Sequence, residues 1–163
     1  MRVLLIGGTG LISTGIVKHL LDRGADVACF NRGKREDRLS SNVRQFHGDR
    51  GQAGTLAKTF AGEKFDVVID MVCFAPEVCA DAIDAFKGRC RQFIFCSTVC
   101  TYGVKIPPGV LVDETFPQEP ISNYGKNKVA CEKLVFDAGK AGQFAATVIR
   151  PSCTYGPGNS LID

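Results

Sequence analysis

Tyr124 and Lys128 stand four residues apart in Tyr124-Gly-Lys-Asn-Lys128, within a stretch that reads as a helix, so both fall on one face. A phenol is a poor base, with a pKa near about 10. An adjacent ammonium stabilises the phenolate and lowers that value, which turns the pair into a proton-transfer device. Thr98 adds a hydroxyl able to orient a substrate oxygen or stabilise it as charge develops. The same spacing occurs on many surface helices, so its meaning depends on what else the chain brings to it.

That second feature lies at the start. Four apolar residues, 3–6, run into Gly7-Gly-Thr-Gly10, and apolar residues then recur at Leu11, Ile12, Ile16, Val17, Leu20 and Leu21. The pattern is strand, glycine turn, helix, the opening of a dinucleotide-binding βαβ unit. Such a turn presents backbone N–H groups at a helix N-terminus, where a pyrophosphate gains hydrogen bonds and the helix-end partial charge. The missing side chain at Gly10 is expected to admit the phosphates closely. Ser13 stands where a third small residue is wanted, and Gly15 is expected to relieve the same crowding.

The end of the second strand bears on the choice of nucleotide. An NAD site places an acidic residue there for the ribose hydroxyls. Cys29-Phe-Asn-Arg-Gly-Lys-Arg35 has no carboxylate, and Arg32 suits a 2′-phosphate, with Lys34 or Arg35 adding field. NADP is therefore preferred over NAD; a solvated basic loop is the alternative. Asp49, after the third strand, suits either a hydrogen bond to adenine or a loop cap.

These residues need a scaffold. Helical periodicity over residues 11–23 ends at Gly24; strands are read at 25–30, 43–46, 67–69, 92–96 and 144–149. Further helices are read near residues 56–60, from Pro76 to Phe86, and from Tyr124 to about Lys140. Residues 101–123, rich in proline and glycine, read as irregular. Strands alternating with covering helices make a Rossmann-like, doubly wound parallel sheet in three α/β/α layers.

At 163 residues the chain reads as one domain. A net charge of +3 is too small to argue for nucleic acid, and the basic cluster Arg32, Lys34, Arg35, Arg38 needs no more than a local anionic ligand. Eight cysteines without a C-x-x-C, beside two histidines, read as buried reduced thiols and give no metal site. The first apolar run is too short for a signal peptide or membrane span, so a cytoplasmic protein is expected.

With these motifs assembled, the chain resembles an extended or atypical short-chain dehydrogenase/reductase of the NAD-dependent epimerase/dehydratase family. The matching stretches begin at Gly7, Gly48, Phe95, Tyr124 and Arg150, in family order across essentially the whole chain. The resemblance implies Thr98, Tyr124 and Lys128 as the catalytic group. It implies dinucleotide contacts at Gly7, Thr9, Gly10, Leu11, Ile12, Asn31, Arg32, Asp49, Arg50 and Pro151, shared with Tyr124 and Lys128. It further implies a sugar nucleotide or related hydroxylated small molecule as substrate, and a homodimer through the helix starting at Tyr124. A smaller substrate domain would follow, so residues 1–163 read as a dinucleotide-binding domain cut before it. Two departures stand out: Ser13 for the third glycine, and Asp70-Met-Val-Cys-Phe74 for a small, alanine-rich strand end. The second resembles a branch that includes chloroplast stem-loop RNA-binding proteins, which makes a non-catalytic nucleotide-sensing or RNA-binding protein the alternative.

Overall fold

The computed structural model describes residues 1–33 and 39–156. Six parallel strands, β1 (Arg2–Ile6), β2 (Asp26–Asn31), β3 (Arg44–His47), β4 (Phe65–Asp70), β5 (Cys90–Cys96) and β6 (Ala145–Ile149), form one sheet in the order β3-β2-β1-β4-β5-β6. The order reverses between β1 and β4, which opens a crevice at the carboxyl edge of the sheet. Ile6 ends β1 opposite Phe30 of β2 and Asp70 of β4, so the crevice forms directly beyond these residues.

Among the described residues four α-helices, α1 (Leu11–Asp22), α2 (Thr55–Thr59), α3 (Pro76–Phe86) and α4 (Asn123–Lys140), complete the doubly wound α/β/α arrangement. β1 is covered on both faces, which is why its sequence is a continuous apolar run rather than an alternating one. Leu4 and Ile6 join a core with Phe60, Phe86, Phe93 and Val135, while Val3 and Leu5 join a second core with Val17, Val27 and Ile69. Phe60 contacts Phe30, Phe46, Phe65 and Phe86, so one ring ties the sheet to the α3 layer.

The element boundaries shift where polar residues start strands. β4 begins at Phe65 and β5 at Cys90, two residues earlier than hydropathy indicates. Asp66 and Arg91 sit at the amino edge of the sheet, where their charges reach water, and Asp66 accepts from the Arg2 N–H at 2.8 Å. β3 starts at Arg44, after the buried Val43. α4 gains Asn123 because Ser122 caps it, its hydroxyl accepting from Gly125 N at 3.0 Å. Among the described residues no helix is long and apolar enough to cross a membrane. The expectations placed on Lys34, Arg35 and Arg38 lie outside the described residues, as does the loop from Pro157 onward.

Candidate active site

Two adjoining clefts, of about 590 Å³ and about 350 Å³, occupy the crevice and share Gly7, Gly10, Val72 and Phe74. The larger is lined by Thr9, Asn31, Arg32, Asp49 and Arg50, and the smaller by Leu11, Ile12, Thr98, Tyr124, Lys128 and Pro151. Each residue named as catalytic or as a dinucleotide contact therefore borders one of two adjoining clefts, in the size range of small-molecule sites.

The glycine loop is tight where β1 leaves the sheet. Gly7 has φ +90°, and a Cβ there would lie 2.5 Å from Val72 Cγ1; at Gly8 it would lie 2.4 Å from Cys29 Sγ. These two glycines, not Gly10 and Gly15, carry the steric demand. A Cβ on Gly10 would meet only Ser13 Oγ at 3.7 Å, and one on Gly15 nothing within 4 Å. The exit from β1 is squeezed between β2 and the loop after β4, whereas Gly15 faces solvent. Ser13, itself buried, fills the third position. Gly10 caps α1 with no side-chain hydrogen bond, and the first turn holds no acidic residue. Its leading N–H groups and positive end face the crevice without a competing carboxylate.

Beside the loop, Asn31 Oδ1 accepts from Gly33 N at 2.7 Å, while its buried Nδ2 has no partner among the described residues. Asp49 accepts from Gly51 N at 2.9 Å, so its carboxylate shapes the turn as well as facing the cleft. Arg50 pairs with buried Asp70 and donates to Val78 O at 3.2 Å, leaving Nε unpartnered. Burial pushes the Asp70 carboxyl up against the opposing pull of Arg50.

Across the crevice, Thr98, two residues past β5, caps a short 3-10 turn, Val99–Thr101, its Oγ1 accepting from Cys100 N at 3.2 Å. α4 approaches this turn closely: a Cβ on Gly125 would lie 2.7 Å from Cys100 O. The glycine after Tyr124 thus lets the phenol reach Thr98. Burial raises the Tyr124 pKa, and a hydrogen bond from the Thr98 hydroxyl opposes the rise. The lowering expected from Lys128 is not found. Its ammonium is fully buried, donates to Cys96 O at 2.6 Å, and sits 4.8 Å from the Phe95 ring centroid against 5.7 Å from that of Tyr124. A backbone carbonyl and the faces of Phe74, Phe95 and Tyr124 surround the charge.

Sequence reasoning missed three features. Glu132, one turn beyond Lys128 and 2% exposed, accepts from Ser97 Oγ, from Gln118 Nε2 at 2.8 Å and from Arg150 Nη2 at 2.6 Å. Arg150 also donates to Tyr102 Oη at 2.7 Å, so the network binds α4, the β5 and β6 ends and the irregular loop together. Burial alone would raise Glu132, but its donors, Arg150 first, hold it below the usual carboxylate range. The spacing Tyr124–Lys128–Glu132 was the available signal, a carboxylate on the face of α4 that packs inward. Second is Asp70 with Arg50. Third, Cys73, Cys79 and Cys131 converge, which no sequence spacing announces; the cysteines are otherwise free thiols as expected, six buried and only Cys100 and Cys153 exposed.

With the geometry in view, the chain matches the NAD dependent epimerase/dehydratase family over residues 3–81 and 77–162. It is 30% identical over 155 residues to the UDP-glucose 4-epimerase of Lacticaseibacillus casei, covering 83% of this chain and 46% of that protein. It is 29% identical over 161 residues to the 2′-dehydrokanamycin reductase of Streptomyces kanamyceticus, covering 99% of this chain and 45% of that protein. The fold superposes on the UDP-glucose 4-epimerase of Thermotoga maritima, solved with UDP-glucose, with a TM-score of 0.84 at 23% identity, over 96% of this chain and 57% of that one. The Thermus thermophilus UDP-glucose 4-epimerase, solved with NAD, gives a TM-score of 0.81 at 24% identity, over 92% and 54% of the two chains. The chain spans about half the length of the curated relatives it matches.

Proposed function

Since the chain belongs to the NAD dependent epimerase/dehydratase family, we propose that it forms the cofactor half of an NAD(P)-dependent oxidoreductase or epimerase acting on a sugar nucleotide or related hydroxylated small molecule. The observation that carries this reading is the meeting of Thr98, Tyr124 and Lys128 with the glycine loop around one crevice. A nicotinamide nucleotide, when bound, supplies the hydride acceptor. The uncapped start of α1 suits its pyrophosphate, and the orphan Nδ2 of Asn31 offers a donor beside it. Tyr124 takes the proton from a substrate hydroxyl and returns it. Thr98 holds the phenol and the substrate oxygen in line, and Lys128 contributes positive field from below. Burial raises Tyr124 and the Thr98 hydroxyl opposes the rise, so Thr98 is the group that assists the phenol as a base.

The finer reading of the cofactor is NADP, supported by exposed Arg32 at the crevice rim and by Asn31 where a carboxylate would favour NAD. A homodimer along α4 is the accompanying reading, supported by Phe136, 39% exposed on that helix. Among the described residues the polar groups converge on a crevice, which supports an enzyme over an RNA-binding protein. Titration of NADPH and NADH, followed by nicotinamide fluorescence, tests the proposal. Arg32→Ala is expected to weaken NADPH about tenfold and to leave NADH unchanged. Equal losses overturn the NADP preference, and failure of both nucleotides to bind at millimolar concentration overturns the enzyme reading.

A further inference from the structure

Three thiols with no part in the crevice chemistry meet behind it. Cys73 follows β4, Cys79 lies in the first half of α3, and Cys131 is on α4 just past Lys128; all three are fully buried. Their sulfurs lie within 4.8 Å of one another, and no histidine or carboxylate belongs to the group. Cys73 Sγ contacts Ala75 O at 3.6 Å, and Cys79 Sγ contacts Cys131 O at 3.8 Å, so the thiols are held by weak backbone contacts alone beyond their own mutual ones. The other buried cysteines, Cys29, Cys90 and Cys96, sit in strands and join no such group. Serving as small apolar side chains accounts for those three. It gives no reason for three sulfurs from three separate elements to share one point.

We propose that Cys73, Cys79 and Cys131 form a buried three-thiolate site for a soft monovalent d10 cation, with Cu(I) as its ligand. Thiolate sets select Cu(I) and zinc. Structural zinc takes four ligands, and the group offers three. Cu(I) is satisfied by a planar set of three sulfurs. A metal–sulfur bond of about 2.3 Å places three trigonal sulfurs about 4 Å apart, so the observed spacing closes onto an ion by small side-chain rotations. Binding is an exchange without redox change: one Cu(I) replaces three thiol protons, which leave to solvent, and three Cu–S bonds form. The resulting negative charge is met by the Lys128 ammonium, one turn before Cys131 on α4, while Arg50 stays paired with Asp70. Cys73 lies between Val72 and Phe74, which line both clefts, so the group sits directly behind the crevice wall.

The test is an anaerobic titration of the reduced chain against Cu(I) held by bicinchoninate. The chain is expected to withdraw one equivalent, equally well in a Cys100→Ser/Cys153→Ser variant that lacks both exposed thiols. Cys131→Ala is expected to weaken binding beyond the roughly 10–100-fold that loss of an outer-shell partner costs. X-ray absorption on the copper-loaded double variant counts three sulfur neighbours and needs no core substitution to fold. Copper staying with the chelator, binding that vanishes with the exposed thiols, or a shell other than three sulfurs overturns the proposal.

Discussion

Each half of the crevice buries a carboxylate, and the two behave oppositely. Asp70, at the end of β4 beside the glycine loop, is met by Arg50 and by the Val72 N–H at 3.3 Å, while its Oδ2 has no partner among the described residues. Burial therefore wins, and its pKa rises. Glu132, beneath the Tyr124–Lys128 face, receives Arg150, Ser97 and Gln118, and its pKa falls. The nucleotide half leaves hydrogen-bonding capacity open at Asn31 Nδ2, Arg50 Nε and the start of α1. The proton-transfer half satisfies its own buried charges with protein groups. One region is shaped to be completed by a ligand, whereas the other is fixed beforehand so that Tyr124 and Thr98 keep their places.

The largest effect should separate the halves outright. Tyr124→Phe in the whole enzyme is expected to lower turnover by about 10²–10⁴-fold while nucleotide affinity holds, as steady-state kinetics and nicotinamide titration would show. Equal loss of both would erase the distinction. Glu132→Ala strands Arg150 in a buried site and is expected to cost about 3–5 kcal/mol of stability by urea denaturation; a much smaller cost would mean the network is no firmer than a surface pair. Its pH counterpart has a definite sign. A carboxylate held below its unfolded value contributes stability above that value and loses it as pH falls through the folded one. Glu132 should thus weaken the fold as pH drops below about 4.5, and Glu132→Gln should flatten that acid limb. Asp70, raised, works in the other sense: its contribution is full below the ordinary carboxylate value and is lost as pH climbs from there through its higher folded one.

Smaller changes sharpen the account of the loop. Gly8→Ala drives a methyl into Cys29 and is expected to cost about 1–3 kcal/mol, measured by thermal melting. Gly15→Ala has open space within a helix and should instead stabilise by about 0.5–1 kcal/mol. If both substitutions cost alike, the steric reading of the loop fails.

Much of this was legible beforehand. The continuous apolar run of β1, the stop at Gly24 and the Tyr124–Lys128 spacing follow from local periodicity, and they appear where expected. The glycine loop was also legible, but which of its glycines is crowded was not. That depends on Val72, in the loop after β4, and on Cys29 of β2, both far away in sequence. What holds the Lys128 ammonium was not legible for the same reason: Cys96 O and the Phe95 ring lie far away in sequence.

By itself, then, the sequence determined the succession of elements, the strand–turn–helix opening and the pairing of a phenol with an amine on one helical face. Those properties rest on backbone geometry and on side chains within a few residues of each other. Tertiary structure alone decided what surrounds each charge: three donors for Glu132, an incomplete set for Asp70, aromatic walls for Lys128 and a meeting point for three thiols. Desolvation and hydrogen bonding are set by neighbours in space, and those neighbours come from segments that only folding brings together.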